Sequence, residues 1–255
     1  MTYCVGMIVD QGIVLMSDTR TNSGVDNISV FRKMFHWQVP GERMIAVMTA
    51  GNLATTQAVI SQLEERTKQP EERETTLLNG PTMFSVVSEI GKLLHTTIDT
   101  QQKVNGDRGK GRFTASMIVA GQIAGMEPRL FMIYPEGNFI EASWDTPFFQ
   151  IGETKYGRPI LIRGYDRNMS FENAVKLLMV SFDSTLKANL SVGLPLDLLV
   201  IGKDSFAPTH QHRVTAEDPY FDTISSNWGD ALRSAFHSLP DYSFGPETGT
   251  ESGGG

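Results

Sequence analysis

The sequence predicts an α+β protein in which two sheets are sandwiched by helices. Three observations lead there: an apolar hairpin at the N-terminus with further strand-like runs behind it, two consecutive helical patterns after residue 52, and a second block of short strands leading into a long amphipathic helix. No short-period repeat points to a solenoid.

Taken in order, Tyr3 to Val9 is apolar and β-prone, Asp10-Gln11-Gly12 reads as a turn, and Ile13 to Met16 is apolar again, which makes a hairpin. With the turn centred on Gln11, cross-strand partners have numbers summing to about 22. Asp18 is then expected opposite Cys4, diagonal to Thr2 and on its face. Val30 to Val39 reads as a strand whose face Phe31, Lys33, Phe35, Trp37, Val39 is apolar except for one ammonium. An inward Lys needs a carboxylate partner, and Asp18 is the nearest in sequence and topology.

Pro40-Gly-Glu-Arg43 turns the chain into Met44 to Ala50, a strand apolar on both faces and so covered on both. Gly51-Asn52 breaks it, and Leu53 to Arg66 reads as a helix. After a polar stretch from Thr67 to Gly80, Met83, Val86, Val87, Ile90, Leu94 and Ile98 recur at helical spacing. Phe113 to Gly121, Arg129 to Tyr134, Phe139 to Ser143 and Phe148 to Ile151 read as short strands, with a short helix expected after Gly152. Ser170 is the expected N-cap of a helix from Phe171 to Asn189. Leu196 to Gly202 is a strand and Tyr220 to His237 a closing helix. No linker divides residues 1–240, which are expected to form one domain, and 241–255 has the Ser, Gly, Pro, Glu and Thr content of a mobile tail.

The chemistry concentrates near the start. Removal of Met1 leaves Thr2 with a hydroxyl and a free α-amine, a nucleophile and a base on one residue. An α-amine titrates near ~7.7 to 8.0, close to neutral pH. Asp18 and Lys33 complete a set in which a cation beside the hydroxyl lowers the cost of deprotonating it. A Thr at position 2 alone carries almost no weight; the three together carry the catalytic reading.

The segments "SDTRTNSG" at Ser17 to Gly24, Lys33, "TAGNLATTQ" at Thr49 to Gln57, "FTASMIVAGQI" at Phe113 to Ile123 and "FFQIGETKYGRPIL" at Phe148 to Leu161 resemble proteasome β-type subunits. Nearest in pattern is the bacterial proteasome-related family called Anbu, a relative of the HslV peptidase. The resemblance implies an N-terminal nucleophile hydrolase, a four-layer αββα sandwich of two antiparallel sheets between helix layers. It implies Thr2 as nucleophile with its amine as base, Asp18 and Lys33 as the supporting pair, and the Gly51 N–H as oxyanion donor. It also implies a homo-oligomeric ring or open spiral acting on peptide or unfolded protein, with any unfoldase partner unidentified.

Two positions depart from the family pattern. A serine follows the glycine matching Gly152 in β-type subunits, whereas this chain has Glu153. The late Asp-x-x-Ser-Gly pattern is represented by Ala188-Asn-Leu-Ser191-Val-Gly193, which keeps Ser191 and lacks the Asp. Altered supports predict a slow nucleophile on an unchanged fold. Hydrolysis of small amides by the same chemistry and a catalytically quiet scaffold ring are the other two readings.

Composition excludes several classes. A formal net charge of −7 argues against nucleic acid, and the Arg108-Gly-Lys110-Gly-Arg112 cluster reads as a solvated turn. No apolar run approaches the ~20 residues needed to cross a bilayer, and a single Cys excludes an internal disulfide framework, so a cytoplasmic location is expected. No phosphate loop, dinucleotide fingerprint or zinc-protease motif is present, so neither cofactor nor metal is expected, and His210 and His212 lack companions at ligand spacing. Cys4 is expected to be a small buried hydrophobe. Met16, Met34 and Met48 are expected in packing, with a substrate pocket as their alternative place.

Overall fold

A computed structural model describes residues 2–22, 28–68, 76–105 and 111–244. The first half contains β1 (Tyr3–Val9), β2 (Gly12–Asp18), β3 (Arg20–Asn22), β4 (Ile28–Val30), β5 (Met34–Val39), β6 (Arg43–Gly51), α1 (Leu53–Lys68) and α2 (Met83–Asn105). The second half contains β7 (Ala115–Ile123), β8 (Arg129–Ile133), β9 (Phe139–Glu141), β10 (Phe148–Gly152), α3 (Arg158–Gly164), α4 (Phe171–Ala188), β11 (Leu196–Gly202), β12 (His210–Val214) and α5 (Pro219–His237).

Two five-stranded antiparallel sheets form, ordered β10-β1-β2-β11-β12 and β5-β6-β7-β8-β9, and β3 and β4 pair separately. Side-chain alternation sorts each strand between two cores. From β1 and β2, Tyr3, Val5, Val14 and Met16 face Leu178 and Phe182 of α4, while Cys4, Ile13 and Leu15 face Met44, Met48 and Ile118 of the other sheet. A third core joins Ile45, Val47 and Val119 to Val59 of α1 and to Val86 and Ile90 of α2. The layers are therefore helix, sheet, sheet, helix. Central strands buried on both faces explain why Met44 to Ala50 carries apolar residues on both faces.

Several sequence expectations are corrected. Partners across the first hairpin sum to 21, as in Cys4↔Ser17 and Val9↔Gly12, because the turn centres between Asp10 and Gln11. Asp18 therefore falls one step beyond Ser17, at the level of Tyr3 and not of Cys4. The strand expected over 30–39 is broken: Val30 ends β4, residues 31–33 are irregular, and β5 starts at Met34. Met16, Met34 and Met48 do lie in the cores, the packing role expected of them. Unforeseen were the β3–β4 pair and β12, an edge strand whose residues His210 to Arg213 are polar and exposed while Val214 is buried. Ser170 does cap α4, its side chain accepting from the Asn173 N–H.

Residues 241–244 have no regular structure and are exposed; the rest of the expected tail, residues 69–75 of the 67–80 stretch and Arg108 to Lys110 lie outside the described residues.

Candidate active site

The site assembles where β1, β2 and the end of β6 converge. Thr2 stands one residue before β1, and its carbonyl accepts from the Glu153 N–H at 2.6 Å. That contact requires Gly152: its φ is +87°, and a Cβ there would lie 1.9 Å from the Thr2 carbonyl oxygen. The threonine backbone is thus held between β2 and β10.

Asp18 ends β2, fully buried, where its Oδ1 accepts from the Tyr3 N–H at 3.0 Å and from the Lys33 ammonium at 2.7 Å. Lys33, 5 % exposed, also donates to the Arg20 carbonyl at 2.5 Å. Its inward aim does not come from strand alternation. The Phe31 N–H donates to the Thr19 carbonyl and the Thr49 N–H to the Lys33 carbonyl, which lays the irregular stretch between β2 and β6. Burial pushes the Asp18 carboxyl above its ordinary value, against the pull of the Lys33 ammonium and of the hydrogen bond from the Tyr3 N–H.

Gly51 closes β6 at a φ of +116°, where a Cβ would meet the Thr114 carbonyl oxygen at 2.4 Å. Thr2, Lys33 and Gly51 line one cavity of about 180 Å³, with Thr21, Arg32 and Phe35 among its other walls. Proximity of a hydroxyl, a buried ammonium and a glycine backbone suits nucleophilic attack on a carbonyl.

Ser191 is less direct. Its N–H donates to Asn189 Oδ1 at 2.9 Å, and Asn189 Nδ2 donates to Glu153 Oε2 at 2.9 Å, while Glu153 Oε1 accepts from the Lys155 N–H at 3.1 Å. Glu153 is buried and ties the Thr2 backbone to the segment after α4. Sequence reasoning took Glu153 only as a lost serine and missed this link, as no local pattern pairs residues 153 and 189. It also missed the hydroxyl cluster behind the site, where Tyr3 Oη meets Ser181 Oγ at 2.7 Å and accepts from Gln150 Nε2 at 2.6 Å. Burial pushes the Tyr3 phenol up to about 12. Cys4 is fully buried and burial pushes its thiol up, which fits packing. His212 pairs with Asp218 at 2.7 Å, and among the described residues no group of three or more His, Cys, Asp or Glu is placed to hold a metal.

Comparison with known proteins gives one consistent answer. The family described as proteasome subunit matches residues 2–201. The solved structure of Anbu (ancestral beta-subunit) from Yersinia bercovieri is 45% identical, with 95% of this chain and 100% of that one covered and a TM-score of 0.87. A helical assembly of the Anbu complex from Pseudomonas aeruginosa is 43% identical, with 95% and 99% covered and a TM-score of 0.86. The proteasome subunit beta of Methanopyrus kandleri is 23% identical over 206 residues, 80% of this chain and 88% of that protein.

Proposed function

The chain belongs to the proteasome subunit family as an Anbu-type protein, and from that premise we propose that it is a threonine-type peptidase whose nucleophile is Thr2 after removal of Met1. The observation that carries the reading is the buried Lys33 ammonium, fixed on Asp18 and lining the same cavity as Thr2.

The Thr2 hydroxyl attacks the scissile carbonyl as the freed α-amine takes its proton, directly or through a water. Lys33 lowers the cost of the alkoxide character that develops, and Asp18 compensates the charge of Lys33 in a site where an unpaired ammonium is disfavoured. The Gly51 N–H receives the oxyanion. The amine returns the proton to the leaving amine, an ester to Thr2 forms, and water attacks that ester with the amine again as base.

The Pseudomonas relative's helical assembly supports an open spiral or ring of identical subunits for this chain too. Exposed Leu232, Phe236 and Leu239 at the C-terminal end favour burial against a second copy. No helix among the described residues is long and apolar enough to cross a membrane, which agrees with action on cytoplasmic peptide or unfolded protein. Glu153, in place of the family serine, favours a second reading, a quiet scaffold. Changing Thr2 to Ala separates them: the peptidase reading expects loss of peptide cleavage with assembly kept, and cleavage that survives the change overturns it.

A further inference from the structure

Arg32 is a cation with no assigned task. It is exposed, lines the cavity that holds Thr2, Lys33 and Gly51, and makes no hydrogen bond or ion pair with a described residue. Lys33 beside it is neutralised by Asp18, and among the described residues no acidic side chain lines the cavity. Phe35, Leu53 and Ile60 supply apolar wall, and Thr21 turns in a buried hydroxyl that has no partner among the described residues. An apolar slot with one uncompensated guanidinium and one free hydroxyl suits an aliphatic stem that ends in a carboxylate.

We propose that Arg32 selects substrates with an acidic side chain on the residue whose carbonyl is attacked. This rests on the peptidase reading above. The carboxylate accepts from the Arg32 guanidinium at the mouth and from Thr21 Oγ1 on the wall, while the side chain's methylenes lie against Phe35. A Lys or Arg side chain in the same slot meets a like charge with no acid among the described lining residues to offset it, so the discrimination has a repulsive component as well as an attractive one. Both components act over distances that salt screens.

The test uses the full chain, with Met1 removal verified by mass, and three fluorogenic peptide amides that differ only in having Glu, Leu or Lys before the scissile bond. The wild type is expected to favour the Glu over the Lys peptide by about tenfold in kcat/KM, the size of one hydrogen-bonded charge contact. The ratio should approach unity in Arg32→Gln and invert in Arg32→Glu. Raising the salt from ~0.01 to ~1 M, which cuts the screening length from about 30 to 3 Å, should shrink it in the wild type. A Glu-to-Lys ratio that is the same in all three proteins overturns the assignment while cleavage of the Leu peptide leaves the peptidase reading standing. If no peptide is cleaved and a peptide electrophile adds nothing to Thr2, the peptidase reading fails and this inference with it.

Discussion

Replacing Lys33 by Met keeps the length of the side chain and removes its charge. The Asp18 carboxylate then stays fully buried, with the Tyr3 N–H as its remaining donor among the described residues. Removing one partner of a buried ion pair costs about 3–5 kcal/mol. At about 2–4 °C per kcal/mol for a chain of this size, the melting temperature should fall by about 6–20 °C at pH 7, compared at equal protomer concentration. Loss of the ammonium raises the folded-state pKa of Asp18 further above its unfolded value near 3.8. A carboxyl raised in this way binds its proton more tightly when folded, so its penalty is absent below the unfolded pKa and grows as pH rises toward the folded one. The deficit of the variant should therefore shrink as pH falls toward about 4. Peptide cleavage should drop by about 10²–10⁴-fold, the range for losing a group that assists proton transfer. Scanning calorimetry across pH with a peptide assay measures all three. A melting temperature within about 2 °C of wild type, or a deficit that does not change with pH, refutes the reasoning.

Three further outcomes follow from other positions. Gly152→Ala places a Cβ 1.9 Å from the Thr2 carbonyl oxygen at a φ of +87°; a loss above about 2 kcal/mol in urea titration and loss of cleavage are expected. Burial and then the Arg32 charge hold the His36 pKa below 6.5. The unfolded chain therefore takes up a proton that the folded chain refuses, so stability declines as pH falls from 6.5 toward the folded value, and His36→Gln should flatten that part of a urea-denaturation profile. Ser170→Ala removes the N-cap of α4 and should cost about 1 kcal/mol with cleavage unchanged.

The layered fold was legible because its helices carry long apolar stripes and its central strands are apolar on both faces. Register was less so: a one-residue shift of the turn reassigns every cross-strand partner, and the local sequence Asp10-Gln11-Gly12 does not fix where the turn centres. Asp18 still reaches the chain start, through the Tyr3 N–H and the Lys33 ammonium. Lys33 was placed inward by an alternation that the structure breaks at residues 31–33; long-range backbone bonds to Thr19 and Thr49 produce the same burial. β12 escaped notice because an exposed edge strand need not alternate apolar with polar. The Glu153–Asn189 contact joins positions 36 apart in the chain through tertiary structure alone.

The most direct test of an N-terminal threonine nucleophile is tandem mass spectrometry on Met1-processed protein after reaction with a peptide electrophile. The account predicts one adduct per chain, on Thr2, absent from Thr2→Ala and strongly reduced in Lys33→Met. An adduct on another residue, or the same labelling in Thr2→Ala, contradicts it.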